Sequence, residues 1–188
     1  MKSRLVISAV ALALMSVSTV CSADSPEEKK TKIRAAVSQT LQDLYKLQPG
    51  AQAAIHKSAG YAVFKNFGTN LLVVSTASGS GIATNNQSKQ DTFMKMISGG
   101  AGLGVGVKDF RAIFVFTSDK AFNDFLTSGW SGSAQADAAA KAGSSGGAVS
   151  GAVEVAPDVY VYQITKNGLA LQLTLQGTKY YKDDDLNK

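Results

Sequence analysis

Ser98-Gly99-Gly100-Ala101-Gly102-Leu103-Gly104-Val105-Gly106-Val107 decides how the rest of the chain is read. Glycine recurs with period 2 at Gly100, Gly102, Gly104 and Gly106, and Ala101, Leu103, Val105 and Val107 alternate with them. An extended strand sends successive side chains to opposite faces, so this pattern gives one bare face and one apolar face. A bare face is costly, because glycine loses more entropy on folding than other residues and packs nothing. The cost is explained if something comes close: a helix, a bend in a curled sheet, or a ligand. Ser78-Gly79-Ser80-Gly81 repeats the alternation. A dinucleotide fingerprint G-x-G-x-x-G is excluded, since Val105, Val107 and Asp109 occupy the places of its third glycine. The glycines read as sheet architecture.

Strand signals lie on both sides of this run. Upstream are Tyr61-Ala62-Val63-Phe64, a continuous β-branched run Leu71 to Thr76, a turn at Asn85-Asn86-Gln87-Ser88, and Thr92 to Ile97. Downstream, Lys108-Asp109 turns into Arg111 to Thr117. Val159 to Thr165 and Leu169 to Leu175 flank Lys166-Asn167-Gly168, and Asn-Gly between two apolar runs is a strong hairpin signal. Short strands separated by turns predict antiparallel pairing.

Helices frame these strands. Ser25-Pro26-Glu27-Glu28 has a capping Ser, a Pro at the first helical position and a Glu that completes a capping box. Ile33, Val37, Leu41 and Leu44 form one apolar face of a helix that stops near Gln48, before Pro49-Gly50. A shorter helix is expected over Ala51 to Ser58, with Gly60 ending it. Ser118 caps a third, with Phe122, Phe125 and Leu126 on one face, and the small residues Ser133 to Ala142 predict a fourth beside it. The expected fold class is α+β: a curled, barrel-like, glycine-rich antiparallel sheet packed with amino-terminal helices and a central helix pair.

The 188 residues divide into a leader and one domain, 1–23 and 24–188. Lys2 and Arg4 precede the apolar run Leu5 to Met15, and small residues follow, the pattern of a secretory signal peptide. Two cleavage routes are open. Cys21 is the chain's one cysteine and stands where a bacterial lipoprotein is acylated, but Val20 fills a place that prefers Gly, Ala or Ser. Ordinary cleavage after Ala23 releases a soluble periplasmic protein instead. Loss of Lys2 and Arg4 takes the net charge from +5 to +3, which permits attraction to anionic lipid and is weak support for nucleic acid.

Few residues carry chemistry. His56 is the one histidine, with no paired acid in sequence, and reads as a surface residue. Metal and cofactor sites are not expected. Asp183-Asp184-Asp185 lacks the spacing of a calcium loop and reads as a solvated end. Lys29, Lys30, Lys32 and Arg34 either meet lipid phosphates or form the solvated face of a docked helix. Trp130 is either an interface anchor or a core residue.

Taken in order, Gly60 to Phe64, the run Gly99 to Gly106, Phe114 to Thr117, Ala121 to Phe125, the segment Trp130 to Ala142, and Gly168-Leu169 resemble the SYLF domain family. The resemblance spans roughly Ser25 to Leu186. It implies a non-enzymatic lipid-binding module. Eukaryotic relatives bind phosphoinositides and some bind actin, partners implausible for an exported bacterial protein. What transfers is affinity for an anionic phospholipid or membrane surface, with the basic start of the first helix as the matching segment. A structural or stress-related envelope protein with no lipid ligand is the alternative.

Overall fold

The computed structural model describes residues 24–71, 74–101, 110–131, 149–165, 168–170 and 177–188. Helix α1 spans Pro26–Leu47 and α2 Gly50–Lys57. The capping box at the start of α1 is formed: Ser25 Oγ accepts from the Glu28 N–H at 3.2 Å, and the Glu28 carboxylate accepts from the Ser25 N–H at 2.8 Å. Those bonds hold the Glu28 carboxyl below its ordinary pKa. At the other end the Gln48 N–H reaches the Leu44 carbonyl. Gly60 does not end α2. Ser58 caps that helix, and Gly60 opens a strand where an added Cβ would stand 2.6 Å from the Phe122 ring.

The strands are β1 (Gly60–Leu71), β2 (Val74–Asn85), β3 (Asp91–Ala101), β4 (Arg111–Phe116), β5 (Trp130–Ser131), β6 (Val153–Ala156), β7 (Val159–Thr165), β8 (Gly168–Ala170) and β9 (Thr178–Lys182), with α3 (Asp119–Ser128) between β4 and β5. They form one sheet in the order β5-β9-β3-β2-β1-β4-β7-β6, with β8 beside β7. All the described pairings are antiparallel. The run Leu71 to Thr76 is not one strand: Leu71 lies opposite Val74, so the chain reverses inside it. The hairpin read at Lys166-Asn167-Gly168 is present as β7 and β8, with Gly168 at φ +104°.

The sheet is curled into a half-barrel, and the aromatic contacts show by how much. Neighbouring strands lie about 4.8 Å apart, so the five steps from β4 to β5 span about 24 Å on a flat sheet. Yet the rings of Phe114 on β4 and Trp130 on β5 are 5.5 Å apart. Phe64 on β1 and Tyr180 on β9, three steps apart, have ring centroids at 4.7 Å. The concave face closes on these rings together with Phe116, Met94, Met96 and the α3 residues Phe122 and Phe125.

Glycine makes the curl possible, at β2. Gly81 is paired with Phe64 and Met94, and Gly79 with Asn66 and Met96. A Cβ on Gly81 would stand 2.1 Å from the Val63 carbonyl oxygen and 2.6 Å from Phe64 Cδ1, and one on Gly79 2.4 Å from the Lys65 carbonyl oxygen. Gly100 lies in β3 opposite Ser75. Gly102, Gly104 and Gly106, the small-residue helix expected over Ser133 to Ala142, and Cys21 all lie outside the described residues.

The convex face carries α1 and α2. Leu44, Ala51 and Ile55 pack there on Val63, Ile113, Val115, Tyr162 and Ile164. Ile33 and Val37 cover a smaller cluster of Ile82, Phe93 and Leu186. The end of the chain is part of this layer, which corrects the expectation of a solvated acidic tail. Asp183 is 4% exposed, Leu186 is buried, and Asn187 Nδ2 donates to the Phe93 carbonyl at 2.8 Å. The Asp185 and Leu186 N–H groups donate to Asp183 Oδ1, fixing a tight turn.

Gly81→Ala is expected to destabilise the protein by about 2–3 kcal/mol, since the methyl group forces a backbone carbonyl and a core ring apart. Gly50→Ala at the start of α2, where an added Cβ would meet only Gln48 Nε2 at an ordinary 3.9 Å, is the control and should be neutral or slightly stabilising. Urea unfolding of both variants checks the contrast.

Candidate functional site

Helix α1 presents its four basic residues in two directions. Lys30 and Arg34 turn toward the sheet: their charged groups stand 5.8 and 4.9 Å from the centroid of Phe93. Such a stack holds a cation against a ring face. Lys30 also pairs with Glu27 at 2.9 Å and Arg34 with Asp91 at 3.6 Å. These two belong to the packing of the helix. Lys29 and Lys32, with Ile33 and Ala36, face a cleft of about 550 Å³ between α1 and the sheet.

The register explains why a cleft opens here. On the convex face the row Val63, Ile82, Phe93 is apolar and is covered by Ile33 and Val37. The next row carries Lys65, Ser80, Lys95 and Tyr181, and the one beyond it has Ser78 beside Ile97. Short serines therefore replace Ile82 under the helix, and the lysines stand to either side of Ser80. Ile97, 51% exposed, adds apolar surface that no helix among the described residues covers. The carboxyl-terminal turn forms another wall through Asp183, Asp185 and Leu186.

Four lysines and three aspartates line the cleft. Lys95 Nζ lies 2.9 Å from Asp183 and 3.6 Å from Asp185. The hydrogen bond to Asp183 raises the Lys95 pKa, which favours the ammonium form. Lys32 pairs with Asp24 at 2.6 Å, which also raises its pKa. Lys29 has no ion pair among the described residues. Asp185 is shared with Lys188 at 3.0 Å, which lowers its carboxyl pKa. His56 lies exposed on α2 and does not line the cleft. Among the described residues no three His, Cys, Asp or Glu side chains are grouped to hold a metal. The arrangement offers charge and apolar surface, the chemistry of holding an amphiphile.

Of the residues singled out from sequence, the structure brings Lys29 and Lys32 to the cleft and not Lys30 or Arg34. Trp130 lies on the opposite, concave side, half-buried against Phe114 and Tyr180. Lys65, Lys95, Ser78, Ser80 and Ile97 were missed. A lysine on the face that otherwise carries Val63 or Phe93 was the available signal, but only strand register shows that Lys65 and Lys95 flank the same serine.

Arg111, next to Lys65 across the β1–β4 pair, ties α1 to the sheet by donating to Asp43. That bond holds the Asp43 carboxyl below its ordinary pKa, with a smaller contribution from Gln39. A depressed carboxyl contributes stability above the unfolded pKa of about 3.9 and loses it as pH falls through the folded value. Asp43→Asn should therefore cost about 1 kcal/mol at pH 7. The gap to the parent protein should persist down to about pH 4 and shrink below it. Urea unfolding across pH checks this.

Residues 97–188 match a family model described as Ysc84, Las17-binding protein actin regulator. Over 162 residues the chain is 30% identical to beta cell expansion factor A of Aeromonas veronii, a match covering 86% of this chain. The chain spans 60% of the length of that relative. The sequence resemblance, the curled α+β fold and these two matches agree: over residues 97–188 the chain is similar to the Ysc84 (SYLF) family, a family of lipid- or actin-related binding modules.

Proposed function

We propose that residues 24–188 act as one non-enzymatic lipid-binding domain of the bacterial cell envelope, associating with anionic membrane surfaces. The observation that carries this reading is the cleft between α1 and the sheet, where Lys29, Lys32, Lys65 and Lys95 surround apolar Ile33, Ala36 and Ile97. Each basic group near an anionic surface contributes about 1 kcal/mol, screened over about 10 Å in 0.1 M salt. The family match over residues 97–188 supports a lipid-related partner in general. The leader at residues 1–23 supports export.

Co-sedimentation with phosphatidylglycerol vesicles, against phosphatidylcholine vesicles, tests the proposal. Binding should favour the anionic vesicles and weaken as salt rises. Lys29→Gln, Lys32→Gln and Lys65→Gln combined should reduce it about tenfold or more with the unfolding midpoint retained. Lys30→Gln with Arg34→Gln should instead lower stability, by about 1 kcal/mol in total, through the lost stacking on Phe93. Equal binding to both vesicle types, or none to either, rejects the anionic reading.

Export is proposed by cleavage after Ala23. Intact-mass measurement of the protein recovered from the producing cell should give an amino terminus at Asp24. A diacylated or triacylated Cys21 would replace soluble release with anchoring, where a fixed tether makes a weak lipid contact effective by local concentration.

A further inference from the structure

We infer that the cleft holds a single molecule of a one-chain anionic amphiphile, its head on the Lys65–Ser80–Lys95 row and its chain along Ile33, Ala36 and Ile97. This rests on the lipid-binding reading above and goes beyond it, from contact with a bilayer surface to capture of one monomer.

The shape is the first argument. The cleft is walled by α1 on one side, by the sheet on another and by the turn containing Asp183 and Leu186 on a third. A bilayer surface can meet the lysines at the rim of the cleft, whereas only a single chain can enter the space between its walls. The volume of about 550 Å³ lies within the ~300–1,000 Å³ usual for sites that enclose one small molecule. Width comes from three short side chains, Ala36 on the helix and Ser78 and Ser80 on β2, at the place where the adjoining row is filled by Ile82.

The distribution of polarity is the second. Ile97 leaves half of its surface open at the cleft while its neighbours Met94 and Met96 on the other face are fully packed. An aliphatic chain laid against Ile97 and Ile33 removes that surface from water. The charged row lies beside it. Lys65 and Lys95 are separated by one strand, with the Ser80 side chain between them on the same face. A compact anion placed over Ser80 meets an ammonium on each side and a hydroxyl donor beneath.

The third argument is the exchange that binding requires. Asp185 is the outer of the two carboxylates on Lys95, at 3.6 Å, and its side chain is 74% exposed. An arriving anionic head takes that place while Asp183, buried and fixed by backbone donors, stays. One carboxylate is traded for another, so Lys95 is never left bare in the cleft.

The test uses the protein as recovered after export and laurate below its micelle concentration, with monolaurin as the uncharged analogue of the same chain. Titration calorimetry and native mass spectrometry should show one laurate per chain, bound at least tenfold more tightly than monolaurin. Ala36→Trp, which fills the cleft from the helix side, should weaken laurate binding at least tenfold. Ile97→Asn should weaken it too, and its exposed position keeps folding intact if Ala36→Trp does not fold. Absence of a one-to-one laurate complex, equal binding of monolaurin, or unchanged binding in Ile97→Asn overturns the inference. Phosphatidylglycerol vesicles assayed in parallel separate the two claims. Vesicle binding without laurate binding removes the monomer site and leaves the membrane reading standing, and loss of both removes both.

Discussion

The aromatic rings of the concave face meet because β2 puts no side chain between them. Gly79 and Gly81 face the same way as Phe64, Met94 and Met96, and their missing Cβ atoms are the space into which neighbouring carbonyls and the Phe64 ring have moved. Everything on that side follows. Phe64 reaches Tyr180 across two intervening strands, Phe114 reaches Trp130, and α3 seals the open side with Phe122 and Phe125. The burial of several aromatic side chains, each worth roughly 1.5–3 kcal/mol, outweighs the entropy that two glycines add to the unfolded chain. Tight closure leaves polar groups behind: the Asn66 amide and the Tyr180 hydroxyl are buried with no hydrogen-bond partner among the described residues.

The same curl shapes the outside. A straight helix laid over a convex surface touches it along part of its length. The second half of α1 packs through Leu44 on the central strands, and Arg111 grips Asp43 nearby. Its first half is held by Ile33 and Val37 and by two cations stacked on Phe93. Between helix and sheet the cleft remains, bounded by β2, β3 and the chain's end. The family match begins at Ile97, so one wall of the cleft falls within it while α1, Lys65 and β2 precede it.

Much of this architecture was legible in the residues. Ser25 and Glu28 announced a capping box, Ser118 a helix start, and alternating glycines a bent sheet, because each signal is local and acts through the backbone around it. The reading failed where distant contacts decide. Nothing near Leu71 marks a reversal, since a continuous apolar run suits one buried strand as well as a hairpin. Asp183 looked solvated because its partner Lys95 lies 88 positions away on β3. The candidate site was half legible: helical spacing gave Lys29 and Lys32, but not which basic residues turn inward to Phe93. Lys65, Ser80 and Lys95 become neighbours only through strand register, which no single strand encodes.

The pairing of β3 with β9 has a consequence for the life of the chain before it is folded. Met94 lies opposite Lys182 and Ser98 opposite Thr178, so the strand that completes the curl is made after almost everything else. While the earlier strands pair locally, β3 keeps an unsatisfied edge, and the concave rings wait for Tyr180. Pairings of such sequence separation form slowly, and an open apolar edge recruits other chains in the meantime. The fold therefore resists closing during synthesis.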